Sequence, residues 1–166
     1  MGLFSFLKKA GSKLFSKKED EREKTTTSGV MDEVADEQKR ILLKGIVNSM
    51  NLGVKDLSID VDGDRATIYG QAKSQSDKEK IVLAVGNVSG IAEVDDRMSI
   101  AEDTSPAAEA TFYTVKKGDT LSKIAKEHYG DWRKYTDIFE ANKPMLKDPD
   151  LIYPGQTLRL PPANQV

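Results

Sequence analysis

The sequence contains no cysteine and only one histidine, His128. The lack of cysteine excludes disulfides, thiolate metal sites and thiol catalysis, and it fits a reducing compartment. A catalytic dyad or triad built on an imidazole would need His128, which lies near the end of a predicted helix, where the helix dipole favours a basic residue. The sequence also lacks a phosphate-binding loop and a pair of carboxylates that can be placed in one pocket. We therefore expect a protein that is not an enzyme.

Long apolar runs are also missing. No stretch approaches the ~18 apolar residues that a membrane span needs. The apolar residues 2–7 precede Lys8 and Lys9, which is the reverse of a secretory signal, and Phe6 stands where a myristoylation signal needs Ser or Thr. We expect a cytoplasmic protein without stable membrane insertion.

The chain has little excess charge of either sign. It carries 25 Lys and Arg against 27 Asp and Glu, for a formal net charge of -2. No overall basic field is available to attract nucleic acid. We expect no nucleic-acid partner, and we expect a monomer.

The most specific pattern lies between Tyr113 and Leu160. A predicted strand, 112–115, leads into a turn, and Thr120 stands at the N-cap of a helix that Gly130 ends. Its apolar face consists of Leu121, Ile124, Ala125 and Tyr129. A second helix is predicted over 132–141, with Trp132, Tyr135, Ile138 and Phe139 buried. A final strand, 157–160, completes a β-α-α-β unit.

These residues resemble the LysM family. The resemblance rests on Tyr113-Thr114-Val115, Gly118-Asp119-Thr120-Leu121, Ile124-Ala125, Tyr129-Gly130, Asn142, Tyr153-Pro154-Gly155-Gln156, Leu158 and Leu160. LysM modules generally bind N-acetylglucosamine polymers such as peptidoglycan or chitin. The resemblance implies a glycan groove lined by Gly118, Asp119, Thr120, Leu121, Asn142 and Ile152.

A second unit is predicted over residues 31–100. A helix over 31–51 is expected to turn Val34, Ile41, Leu42, Gly45, Ile46 and Met50 inward. Alternating apolar residues predict strands at 54–61 and 66–70, with Asp62-Gly63 as the hairpin turn. A second helix, capped by Ser74 or Ser76, and a last strand, 91–100, give the order α-β-β-α-β.

The hairpin carries an acidic cluster that could indicate a calcium-binding site. It consists of Asp60, Asp62 and Asp64. An EF-hand loop needs Gly at its sixth position, but Arg65 stands there, and no Glu completes the loop. The cluster is therefore interpreted as a hairpin and not as a calcium site.

The 34–100 segment resembles the BON domain. The resemblance rests on Ile59, Val61, Gly63, Ala66, Ile68, Gly70, Glu79-Lys80-Ile81 and the run from Val88 to Asp96. BON domains are not enzymes and are associated with attachment and with ion or lipid interaction. The resemblance implies a non-catalytic module.

The first fifteen residues form an amphipathic pattern. Leu3, Phe4, Leu7, Leu14 and Phe15 recur near helical spacing, with lysines opposite. The segment could be an interfacial membrane helix, it could be disordered, or it could dock on the protein itself. We favour an N-terminal amphipathic helix, 1–15, that docks on the BON domain. Residues 16–30 then form a flexible linker and 101–111 an inter-domain linker, with BON at 31–100 and LysM at 112–162.

The combination of an initial MGLF, an AVGN-SGIA run, FEANKPML and IYPGQ resembles a family of small bacterial potassium-binding proteins. The resemblance implies an α+β protein of two small domains that binds K⁺ in the cytoplasm and serves as an ion sensor in the stress response. The alternative is a peptidoglycan-binding LysM protein of the cell envelope.

Potassium binding need not involve carboxylates, because neutral carbonyl oxygens can replace the water shell of this large, weakly charged ion. Carbonyls at helix C-termini lack intrahelical partners and carry partial negative charge, and glycines let the backbone turn them inward. Two stretches qualify, one around Gly11 and one at 86–91. The predicted K⁺ ligands are the carbonyls of Leu7, Ala10, Ser12, Gly86, Val88 and Ile91.

Overall fold

The computed structural model describes residues 2–6, 30–101 and 108–163, which form two α+β units. The larger comprises β1 (Gly2–Ser5), α1 (Val30–Ser49), β2 (Lys55–Asp62), β3 (Arg65–Ala72), α2 (Gln75–Gly86), β4 (Glu93–Asp96) and β5 (Ser99–Ile100). The smaller comprises β6 (Thr111–Thr114), α3 (Leu121–Tyr129), a 3-10 turn (Trp132–Lys134), α4 (Tyr135–Ala141) and β7 (Thr157–Leu160). The predicted two-domain α+β fold is confirmed.

The larger unit is a sheet with helices on one face. Its strand order is β1-β4-β3-β2, with β5 beside the end of β3. β2 and β3 form the predicted antiparallel hairpin, and β3 and β4 are parallel, joined through α2. Gly63 has a φ of +60°, which glycine adopts without a Cβ penalty. The buried face carries Ile59, Val61, Ala66 and Ile68.

The inward face predicted for α1 is partly wrong, because Ile46 packs against the core but several other predicted residues do not. Leu43 and Val47 are buried, whereas Val34, Ile41 and Leu42 are 49–64% exposed, and Gly45 is also exposed. Because residues 41–43 are consecutive apolar residues, helical periodicity alone did not decide which of them faces the sheet. The contacts of α1 with β2 and α2 decide it.

The N-terminus begins as a strand, which corrects the predicted helix for its first residues. β1 pairs antiparallel with the edge of β4, with Gly2 opposite Asp96 and Ser5 opposite Glu93. A helix of one or two turns is marginal in water, whereas the free edge of β4 offers a ready row of backbone partners. The rest of the predicted helix, and all of the 16–30 linker but Val30, lie outside the described residues.

The smaller unit packs α3 and α4 on a two-stranded sheet. Leu121, Ile124 and Ala125 are buried, as the sequence predicts. Trp132 is 56% exposed, which corrects its predicted burial, because it opens a 3-10 turn before α4 begins. Within the described residues, no helix is both long and apolar enough to cross a bilayer.

Candidate functional site

Helix α2 ends in a partly buried loop that contains half of the predicted ion ligands. Ser74 caps its start by accepting from the Asp77 N–H at 3.1 Å. At its end, the N–H of Asn87 donates to the Leu83 carbonyl at 3.0 Å, and Gly90 turns the chain with a φ of +90°. Residues 81–88 and Ile91 are buried. The last carbonyls of α2 therefore meet little solvent.

The N-terminal segment closes onto this loop. Phe6 is 8% exposed, and a Cβ on Gly86 would overlap its ring. The N–H of Phe6 donates to the Ala92 carbonyl at 2.7 Å. The glycine at 86 thus serves the close approach of an aromatic ring.

Carbonyl oxygens of the loop differ in how they are used. The Val88 carbonyl accepts from the Ile91 N–H at 3.2 Å, and the Ala92 carbonyl accepts from Phe6. Between residues that the structure describes, no hydrogen bond reaches the carbonyl oxygens of Gly86 or Ile91. Since a carbonyl has two lone pairs, Val88 also keeps an acceptor site for a further ligand.

The six predicted ligands divide into two groups. Gly86, Val88 and Ile91 lie together in the loop that the Phe6 ring covers. Leu7, Ala10 and Ser12 lie outside the described residues. No group of three or more carboxylate or imidazole side chains in the described part of the chain is placed to hold a metal ion. Asp60 and Asp62 belong to the β2–β3 hairpin, with Asp62 opposite Arg65.

Asn87, beside these carbonyls, connects the two domains. Its side chain is fully buried, and its Nδ2 donates to the Thr157 carbonyl at 2.9 Å while its Oδ1 accepts from the Thr157 N–H at 2.8 Å. Thr157 begins β7 of the smaller unit. Sequence reasoning missed this contact, and the only local signal is an amide side chain inside an apolar run.

A buried ion pair forms the second connection between the domains. Glu79 Oε2 accepts from Arg159 Nε at 2.6 Å, and both side chains are 6% exposed. The other carboxylate oxygen accepts from Gln75 Nε2 at 2.7 Å and from the Ala110 N–H at 3.0 Å. Glu79 therefore joins α2, the chain just before β6, and β7.

An aromatic contact adds a third connection. The rings of Phe4 and Phe112 lie with centroids 5.0 Å apart at an angle of 42°. Phe4 belongs to β1 and Phe112 to β6. The N-terminal strand therefore touches both domains.

Only some of the residues of the predicted glycan groove lie at the surface. Gly118 has a φ of +87°, and its carbonyl accepts from Lys123 Nζ at 2.9 Å. Thr120 caps α3 by accepting from the Lys123 N–H at 3.2 Å, as predicted. Asp119 is also structural, because one carboxylate oxygen accepts from the Tyr113 hydroxyl and from the Lys116 N–H, each at 2.8 Å. Ile152 is half-buried.

Two predicted groove residues lie inside the fold. Leu121 is 2% exposed and belongs to the core. Asn142 is also 2% exposed; its Oδ1 accepts from the Arg159 N–H at 2.7 Å, and its Nδ2 donates to the carbonyls of Arg159 and Ile138 at 2.8 and 2.7 Å. Because its amide is satisfied by backbone, Asn142 is a structural residue and not a sugar contact.

Two family models match this chain. The BON domain model matches residues 35–102, and the LysM domain model matches residues 113–161. The first covers the larger unit from α1 to β5, and the second covers the smaller one.

Sequence similarity to individual proteins covers different shares of the chain. The chain is 46% identical over 161 residues to the Potassium binding protein Kbp of Escherichia coli O6:H1, across 97% of this chain and 99% of that protein. It is 43% identical over 75 residues to an uncharacterized protein of Deinococcus radiodurans, across 45% of this chain and 29% of that one. It is 47% identical over 49 residues to the Secreted LysM effector Mgx1LysM of Zymoseptoria tritici, across 30% of this chain and 49% of the effector.

The first of these similarities runs through both domains and the N-terminal segment, whereas the effector shares only a stretch about as long as a LysM module. BON and LysM are binding modules and not catalytic ones. The chain belongs to the family of the Potassium binding protein Kbp.

Proposed function

We propose that this chain binds potassium in the cytoplasm and couples ion binding to the arrangement of its BON and LysM domains, as an ion sensor in the stress response. The observation that carries the proposal is the seating of Phe6 on Gly86, which brings the N-terminal segment to the buried carbonyls that end α2. Near full-length similarity to a protein named for potassium binding supports it.

The proposed ligands are carbonyl oxygens of two stretches. Gly86, Val88 and Ile91 supply those of the loop, where the C-terminal dipole of α2 favours a cation. Leu7, Ala10 and Ser12, in the segment that follows Phe6, supply the others. A large monovalent ion suits such neutral oxygens, whereas Ca²⁺ sites are built mainly with carboxylates.

Thermal unfolding in KCl and in NaCl at equal ionic strength tests this proposal. A ligand that binds only the folded chain stabilises it by RT ln(1 + [L]/Kd), or about 2.7 kcal/mol at a hundredfold excess over Kd. For a chain of this size that corresponds to a Tm higher by roughly 5–11 °C in KCl. Equal Tm values in the two salts would refute potassium binding.

Two further measurements sharpen the test. Isothermal titration of dialysed protein should give heat with K⁺ and none with Na⁺. Deletion of residues 1–12 should abolish the difference in Tm between the salts, because it removes half of the proposed ligands together with Phe6. A deletion variant that keeps the full difference would exclude the N-terminal segment from the site.

A second candidate function is glycan binding through the LysM domain. The match of the LysM model and the similarity to a secreted LysM effector favour it. With Asn142 and Leu121 inside the fold, the proposed groove reduces to the Gly118–Thr120 turn and Ile152. Retention of the full chain on peptidoglycan or chitin, lost in Ile152→Asp but kept in Asp62→Asn, would support it. No retention of the unaltered chain would exclude it.

A further inference from the structure

The open edge of β7 is closed by two asparagine side chains, one from each domain. β7 pairs with β6 along its other edge, where Thr157 lies opposite Thr114 and Arg159 opposite Phe112. Asn142, from the LysM domain, bonds both backbone groups of Arg159 at 2.7 and 2.8 Å. Asn87, from the BON domain, bonds both backbone groups of Thr157 at 2.8 and 2.9 Å.

The two contacts are equivalent in geometry and different in origin. Residues two apart in a strand point their N–H and C=O groups to the same edge, so each amide takes the place that a neighbouring strand would fill. The LysM domain satisfies Arg159 by itself. It depends on the BON domain to satisfy Thr157, which is 4% exposed.

Asn87 is also fixed within the proposed ion loop. Its backbone N–H donates to the Leu83 carbonyl at 3.0 Å, and the next N–H, of Val88, donates to the Val85 carbonyl at 3.1 Å. The Gly86 carbonyl and the Asn87 N–H belong to one planar peptide group. A turn of the Gly86 carbonyl toward an ion therefore moves the backbone that carries the Asn87 side chain.

We propose that Asn87 is the positioning residue through which potassium in the loop controls the docking of the LysM domain on the BON domain. This inference rests on the proposed function and names the contact through which it would act. Potassium that fixes the Gly86 peptide also fixes the Asn87 amide against Thr157. Without the ion, the Leu83–Asn87 hydrogen bond alone holds this peptide, and the contact of Asn87 with β7 loosens.

Amide hydrogen exchange at β7, followed by NMR in KCl and in NaCl, tests the inference. In the unaltered chain we expect K⁺ to slow exchange of the Thr157 N–H by roughly 5–150-fold, the usual range of coupling between two sites. In Asn87→Asp, which keeps the acceptor and loses the donor, K⁺ should still shift the amides of the loop while its effect on β7 disappears. A purely structural role would lower protection equally in both salts and leave the ratio unchanged.

Asn142→Asp is the matched control, because it alters the same kind of contact one step along the same edge. It should speed hydrogen exchange of the Arg159 N–H in both salts. The slowing of exchange at the Thr157 N–H by K⁺ should remain. Thr157→Pro removes, on the LysM side, the N–H that Asn87 Oδ1 accepts from, so K⁺ should still shift the amides of the loop in this variant.

The outcomes separate the two proposals. Potassium shifts in the loop without any change at β7 in the unaltered chain would overturn the coupling and leave ion binding intact. A potassium effect on β7 that persists in Asn87→Asp would also overturn it. No potassium-specific shift anywhere would overturn ion binding itself, and the coupling with it.

Discussion

Replacing Gly86 with alanine should release the N-terminal segment from the BON domain. Gly86 is the last residue of α2, and a Cβ there would overlap the ring of Phe6. The neighbour cannot adjust by a small amount, because the added carbon would meet several ring atoms at once. We expect Phe6 to leave its site and to carry β1 away from β4.

The size of the effect follows from two opposing terms. Exposing a buried Phe side chain costs about 1.5–3 kcal/mol. Alanine in a helix gains roughly 0.5–1 kcal/mol over glycine. The net loss is therefore about 0.5–2.5 kcal/mol, which lowers the Tm of a chain of this size by roughly 1–10 °C.

Chemical denaturation measures this loss, and Gly45→Ala is its control. Gly45 lies in α1 and is exposed, and a Cβ there meets nothing within 4 Å. Gly45→Ala should therefore raise stability by roughly 0.5–1 kcal/mol. The two substitutions are chemically identical and opposite in sign because only one position faces Phe6.

A double-mutant cycle isolates the contact. Phe6→Ala removes the ring, so Gly86→Ala should cost nothing further in that background, and the two losses should not add. The variant Gly86→Ala should also lose the Tm difference between KCl and NaCl. If Gly86→Ala proves as stable as the unaltered chain and keeps its potassium response, the docking of Phe6 does not form the site.

Three further outcomes follow from the same contacts. Glu79→Ala leaves Arg159 buried without its partner and should lower the free energy of unfolding, measured in denaturant, by about 3–5 kcal/mol. Glu79→Gln keeps the volume and an acceptor oxygen, so it should lower it clearly less. Equal losses in the two variants would show that the charge does not matter. Burial raises the pKa of Tyr129 to about 12, and burial with the Asp119 hydrogen bond raises that of Tyr113 to about 12. Because an unfolded tyrosine ionises at about pH 10, stability should be full below that pH and fall as the pH rises to about 12, and Tyr129→Phe should weaken that fall. Asp62→Asn should leave the potassium Kd in titration calorimetry unchanged, and a weaker Kd would place the ion at the hairpin instead.

The fold could be predicted because its signals are local. The Asp62-Gly63 turn, the cap at Thr120 and the apolar spacing of Leu121, Ile124 and Ala125 each depend on residues a few positions apart. Errors arose where distant contacts decide. The buried face of α1 depends on β2 and α2, and three consecutive apolar residues left the choice open. The strand at Gly2–Ser5 depends on the edge of β4, some ninety positions along the chain.

The 86–91 stretch could be proposed as part of a site for the same reason. A glycine-rich loop after an apolar helix is visible in the sequence, and its carbonyls follow from the end of α2. The partner of Asn87 is not visible, because Thr157 is 70 positions away and takes part through its backbone. Backbone N–H and C=O groups are common to nearly all residue types. The sequence therefore does not indicate which distant peptide group a side chain contacts.

Asn142 and Asn87 show how similar chemistry can take different roles in one fold. Each asparagine is buried and bonds the N–H and the C=O of one β7 residue. The contact of Asn142 stays within its own domain and contributes to the stability of that domain alone. The contact of Asn87 crosses between domains, so its energy depends on how they are arranged, and that dependence lets a change in one domain alter the other. The BON domain therefore completes the sheet of the LysM domain, and under the proposed coupling a ligand that shifts the end of α2 acts on both.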